Sequence, residues 1–220
     1  MIQKSLIGGI ALVLATASGA AAQQVELSYG VAVTSNYISD GATQSDDNPA
    51  LQGYVEAAYN LFYAGVWSST VDFGDDPDFG RDNLEFDLYV GVRPTVGDFS
   101  FDLSYYRYIY DDSGDSNGEF VLIGEYPVAD FGTVGAEFDY DPDANTRWGE
   151  VAGGLGFAEV WTVGGAVGTD FGSEDWGEDD KVAWNAGVTR GVGEIASVDL
   201  RYHDSNYDPG TTVLTLYLDF

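Results

Sequence analysis

The chain has 220 residues and carries 37 carboxylates against 8 lysines and arginines, a net charge of −29 at pH 7. Such a surface repels polyanions, so no nucleic-acid partner is expected. There is no cysteine, which excludes a disulfide framework and any thiolate metal site.

Lys4, the apolar run from Leu6 to Ala17 and the small residues Ala20, Ala21 and Ala22 read as a secretory signal over residues 1–22. The run is too short for a spanning helix, which needs about 20 residues. Residues 23–220 then form one domain. Twelve period-two segments bounded by turn residues follow, at about one per 16 residues, the even number that bacterial barrels require. They are Val25–Tyr37, Ala50–Tyr59, Leu61–Val71, Asn83–Arg93, Asp98–Tyr110, Gly118–Tyr126, Asp130–Tyr140, Arg147–Phe157, Val160–Phe171, Lys181–Arg190, Glu194–His203 and Thr211–Phe220. The connections alternate. Tight turns such as Tyr59-Asn60 and Ala158-Glu159 follow the even segments, and longer acidic loops such as Asp72–Asp78 and Gly172–Asp180 follow the odd ones.

Within a segment, apolar and polar residues alternate. Leu84, Phe86, Leu88, Val90 and Val92 oppose Glu85, Asp87, Tyr89, Gly91 and Arg93. In lipid the polar row must face the axis, because a charge on the lipid side costs about 2–4 kcal/mol at mid-membrane. Aromatics near both strand ends, including Tyr59, Phe62 and Phe157 at one end and Tyr37, Tyr140 and Trp148 at the other, predict two interfacial girdles. Arg107 breaks the pattern. It falls on the apolar row of its strand, either as an interfacial residue or beside a β-bulge that turns it inward. The fold expected is all-β: a closed, antiparallel, up-and-down transmembrane β-barrel of about twelve strands. The last strand places Leu214, Leu216, Leu218 and Phe220 on one face, and Leu216, Leu218 and Phe220 resemble the signal read by the outer-membrane assembly machinery.

Thr34-Ser-Asn-Tyr37, Asp40-Gly-Ala-Thr-Gln44, Pro49-Ala-Leu-Gln-Gly53, Tyr63-Ala-Gly-Val-Trp67 and Val71-Asp-Phe73 together resemble the proteobacterial TorF family, porin-like outer-membrane proteins whose function is mostly unassigned. The motif covers about the first quarter of the mature chain. The resemblance implies a signal peptide, strands throughout and an outer-membrane location. Where that family carries an arginine before Gly-x-x-Gln, this chain has Asp40. Physically the motif suits a structured loop between the first two strands, with Gly41 at positive φ and Pro49 at the start of the returning strand.

The polar rows place Glu26, Glu56, Glu85, Asp87, Asp102, Glu137, Glu150 and Asp199 in the lumen, opposed by Arg93 and Arg201. These could form a salt-bridge network that fills the interior, or an acidic constriction that favours cations. A twelve-strand interior lies between a packed core and an aqueous channel. Asp139, Asp141 and Asp143, with Glu150, echo a calcium loop, but Ala144 stands where glycine is needed and Pro142 intrudes. Looser Ca2+ or Mg2+ association with the acidic loops, bridging to lipopolysaccharide and other outer-membrane lipid, is the alternative expectation. His203, the sole histidine, lies beside Asp204 and Ser205, but neighbours on a strand point to opposite faces, so no catalytic triad follows. No enzyme activity and no cofactor are expected. The function expected is porin-like passive diffusion of small polar or cationic solutes; the alternative is a closed structural or surface-interaction barrel.

Overall fold

The computed structural model describes residues 25–76, 80–129, 131–171 and 181–220. The signal segment read at residues 1–22, the acidic loop 172–180 and part of the loop 72–78 lie outside them. Every regular element among the described residues is a strand: β1 (Glu26–Thr34), β2 (Ile38–Ser39), β3 (Ala42–Thr43), β4 (Ala50–Tyr59), β5 (Phe62–Thr70), β6 (Leu84–Val92), β7 (Thr95–Val96), β8 (Phe99–Tyr110), β9 (Gly114–Val128), β10 (Gly132–Asp141), β11 (Thr146–Phe157), β12 (Trp161–Asp170), β13 (Val182–Val192), β14 (Ala196–Ser205) and β15 (Thr211–Asp219).

Twelve of them pair antiparallel with their neighbours in chain order. The ring closes where β1 meets β15, with Gly30 opposite Asp219 and Thr34 opposite Thr215. The short β7 pairs only with the start of β8, and β2–β3 form a separate hairpin inside the first long loop. Closure leaves the twelve-strand wall without an unpaired edge, the condition for strands in hydrocarbon. The tight turns use left-handed residues, as two-residue hairpins require: Asn60 at φ 56, and Ala158 and Glu159 at φ 47 and 63.

The alternation in sequence becomes inside and outside. On β15, Leu214, Leu216 and Leu218 are exposed outward while Val213 and Thr215 are 5% exposed on the inner face. On β6, Leu84, Phe86, Leu88 and Val90 face out, and Glu85, Asp87 and Tyr89 are buried inside. The aliphatic skin is therefore outside and the polar rows look to the axis. Two girdle expectations are corrected. Trp148 is buried on the inward row of β11, lying over Gly168 of β12, where the missing side chain leaves room for the indole. Tyr37 is drawn inside with its loop, 5.5 Å from the ring of Trp67. Arg107 stays on the outer row, its guanidinium 3.2 Å from Asp143, and the bulge falls just after it, between Arg107 and Ile109.

Candidate functional site

The inward rows of β4, β5, β6 and β8 build a network near the short-turn end. Arg93 donates to both oxygens of Glu56, at 2.5 and 2.9 Å, and through Nε to Asp102 at 2.9 Å. Its guanidinium lies 3.6 Å from the ring centroid of Tyr63, whose hydroxyl donates to Asp102 at 2.5 Å. Bidentate, charge-assisted pairs of this kind fix geometry as well as charge. Tyr63, Trp67, Tyr89 and Tyr106 form a buried aromatic cluster beside it, with Tyr89 and Tyr106 stacked at 5.2 Å. The register explains how large rings fit: Tyr63 sits opposite Gly91 and Tyr89 opposite Gly65, each ring over a neighbour without a side chain.

On the facing wall Arg201 is held in the same way. It donates to Asp199 at 3.1 Å from Nε and again at 3.1 Å from a terminal nitrogen, and to Asn185 at 2.7 Å; Thr189 adds a hydrogen bond to Asp199 at 2.6 Å. Both inward arginines found in sequence are thus neutralised by their own carboxylates.

Toward the long-loop end the balance changes. Glu85, Asp87, Glu119, Glu137, Asp139 and Glu150 all face inward, and none is held in a salt bridge among the described residues. Phenols supply part of their solvation: Tyr110 donates to Glu85 at 3.0 Å and Tyr108 to Glu119 at 2.6 Å. Glu85 Oε2, Asp87 Oδ1, Asp139 Oδ1 and Glu150 Oε1 are buried without a hydrogen-bond partner. Glu26, by contrast, sits exposed at the short-turn rim.

The first long loop, 35–49, folds into this mouth. Its centre is a polar knot. Asn36 accepts from Thr43 at 2.8 Å and Ser45 at 3.0 Å, and its amide donates to Asp47 at 2.6 Å. Ser45 Oγ in turn accepts from the Tyr37 N–H at 2.9 Å. The hairpin tip rests on the wall two strands from β1, at the end of β14: Ser205 donates to the Gly41 carbonyl at 2.9 Å, and the Thr43 N–H donates to Asp208 at 2.9 Å. Gly41 takes φ +73, and a side chain there would overlap Ala183. Of the residues that carry the family motif, those in loop 35–49 shape a loop that is folded inward, while Tyr63 and Trp67 lie on β5 in the aromatic cluster. The loop's tip hangs Asp40 in the lumen within electrostatic reach of Glu119, Glu137, Asp139 and Glu150. The Asp40 side chain is exposed at the loop tip yet surrounded by protein. This desolvation holds its carboxyl above the ordinary range; Lys181 opposes the shift and Asp170 adds to it. Burial, with Glu85 and Asp87 nearby, pushes the Tyr37 hydroxyl well up. Between this loop and the β14–β15 connection lies a cavity of about 530 Å³, lined in part by Asp46, Asp47, His203, Asp204 and Asp208.

The calcium-loop residues do not converge. Asp139 points into the barrel; Asp141 caps the turn by accepting from the Asp143 and Ala144 N–H groups and from Asn117; Asp143 turns to Arg107. Among the described residues no three acid or histidine side chains are placed to hold a metal ion. Sequence reasoning overlooked Glu119 and Glu125, although Phe120 and Leu122 on the outward row already fixed both as inward. The entry of Asp40 into the lumen had no such signal.

Comparison with solved structures gives the same architecture at low identity. The KdgM porin superposes with a TM-score of 0.65 at 10% identity, covering 88% of this chain and 98% of that one. A KdgM porin in complex with disordered oligogalacturonate gives 0.59 at 9%, covering 88% and 97%. An outer membrane channel from Pseudomonas putida F1 gives 0.52 at 12%, covering 90% and 97%. The fold is thus a porin-like barrel. No curated protein sequence matches. A family model named differently from TorF matches residues 17–217, and the chain belongs to that family, Gcw_chp, bacterial proteins of unknown function.

Proposed function

We propose that the chain is an outer-membrane barrel through which small cationic and neutral polar solutes diffuse. One observation carries the reading: both inward arginines are spent on their own carboxylates, while among the described residues the inward acids of the long-loop half have no basic partner in a salt bridge. A low-dielectric wall bearing uncompensated carboxylates concentrates cations and raises their rate of arrival. The acidic cavity at the mouth extends the same field outward. The outward apolar skin supports insertion in a bilayer, and the barrel's likeness to outer-membrane porins supports the outer membrane as its location. One similar porin is seen with oligogalacturonate, a polyanion. The carboxylates here would repel such a solute.

A second reading rests on the short-turn half, where the Arg93 network and the stacked tyrosines fill space that an open pore would leave to water. That arrangement suits a closed barrel whose loops meet divalent cations, lipopolysaccharide or a partner. Single-channel recording in planar bilayers separates the two. Steps of conductance with a reversal potential favouring potassium over chloride support the pathway, and silence from folded protein supports the closed barrel.

A further inference from the structure

The acids of the long-loop half form a belt. Glu85 and Asp87 lie on β6, Glu119 on β9, Glu137 and Asp139 on β10 and Glu150 on β11. Glu137 and Glu150 stand directly opposite each other in register. Asp87 is within electrostatic reach of Glu85 and Glu119, and Glu119 of Asp40 and Asp141, so the acids run from β6 to β11 with Glu119 between the two groups. Like charges directly opposed on one face of a sheet destabilise it. Such a belt is relieved by taking up protons or by binding cations.

Three buried oxygens show where positive charge should arrive. Glu85, Asp87 and Asp139, all on inward rows, are only 4%, 5% and 5% exposed, and each has an oxygen without a hydrogen-bond partner. A buried carboxylate oxygen left unpaired is costly, and an N–H donor relieves it. The donors must come at separated points, because no three of these side chains converge on the volume of one metal ion among the described residues. The surface between them is aromatic: Tyr108 and Tyr110 donate to the belt from β8, and Tyr37 lies beside Glu85. Phenol faces accept alkylammonium groups and the methylenes next to them.

We propose that this belt is a binding site for linear alkyl-diammonium cations, with one ammonium group at Glu85 and Asp87, the other at Asp139 with Glu137 and Glu150, and Glu119 serving the chain between. It deepens the proposed cation pathway, on which it rests, by naming the solute class. An ammonium group can bring three donors to unpaired oxygens, and a methylene spacer carries two such groups to acids that do not converge on one point. A hydrated Mg2+ neutralises charge but cannot bridge separated acids through direct ligands, and a monoamine satisfies one end alone.

The test is isothermal titration calorimetry on the folded full-length barrel in detergent, with 1,4-diaminobutane, butylammonium and Mg2+ as probes. The diamine should bind at least ten-fold more tightly than either of the others. Glu119→Gln and Asp139→Asn should each weaken it ten-fold or more, while Glu159→Gln on a short turn should leave it unchanged. Heat-modifiable migration on gels verifies that each variant is folded, and Asp87→Asn replaces any that is not. Equal affinity for diamine and monoamine, or indifference to both belt substitutions, overturns the site. The bilayer recordings keep the two readings apart. Cation-selective current without diamine preference sinks the site and leaves the pathway standing; diamine binding by a silent barrel does the reverse.

Discussion

The phenol of Tyr89 occupies the space that a side chain at Gly65, its cross-strand partner, would need. Tyr63 and Gly91 repeat the relationship two pairs further along the same two strands. The glycines thus seat the aromatic cluster against the wall. Gly65→Ala should lower the free energy of unfolding by about 1–3 kcal/mol, the usual cost of overpacking. Tyr89→Ala should cost more, about 3–5 kcal/mol, because it empties the seat. Denaturant unfolding followed by tryptophan fluorescence measures both. A Gly65→Ala protein as stable as the parent would show that the ring is free to move aside.

Arg93 ties Glu56 to Asp102 across three strands, with all three side chains mostly buried. Removing one partner of a buried pair leaves charge unpaired, at a cost of about 3–5 kcal/mol. Arg93→Ala should therefore be among the most destabilising inward substitutions. Adding Glu56→Ala to it should cost less than the sum of the two single changes, since the stranded carboxylate goes with it. Strict additivity in this double-mutant cycle would mean that the two side chains do not interact in solution.

Much of this architecture was legible in the chain. The run Leu84–Arg93 alone distinguishes the two faces of the wall, and the residues read as inward from it, Glu85, Asp87 and Arg93, all face the lumen. Asp102, Asp199 and Arg201 follow by the same parity. Side-chain period in a closed sheet is a local property, which is why it survives the step from sequence to structure. The course of the first loop is not local. Gly41 reaches Ser205 only because closure brings β1 beside β15 and β14, and no pattern near residue 41 encodes that contact. Trp148 was legible and was missed: it shares its face with Glu150, already read as lumen-facing, and the empty place at Gly168 seats its ring.

The seam between first and last strands depends on Phe220. Its ring stacks on Tyr29 at 5.3 Å, its N–H donates to the Tyr29 carbonyl at 2.8 Å, and its carbonyl accepts from the Tyr29 N–H at 3.3 Å. Phe220→Ala removes the stack and keeps the backbone pair. The folded barrel should lose about 1 kcal/mol from the lost aromatic contact, plus the area term for exposed Tyr29. Recovery in the outer membrane should fall much further if the residue is also read during assembly. Comparing refolding yield in detergent with membrane recovery in cells separates the two effects, and equal losses in both would leave no role in assembly.

Asp82 gives the loops a measurable pH dependence. It lies before β6, 3% exposed, and its Oδ1 accepts the N–H groups of Asp112 at 2.8 Å and Ser113 at 2.9 Å, joining the β5–β6 and β8–β9 loops. Burial alone would raise its titration point. The N–H donors of Ser113 and Asp112 outweigh burial and hold it below the ordinary 3.8. Folding therefore favours the charged form, and the stabilisation is present above the unfolded value and lost as pH falls through the folded one. Asp82→Asn keeps the shape and cannot ionise. The difference in melting temperature between parent and variant should favour the parent at pH 6 and shrink toward zero below about pH 4. A difference that stays constant across that range would mean that Asp82 acts through shape alone and that its charge contributes nothing to joining the loops.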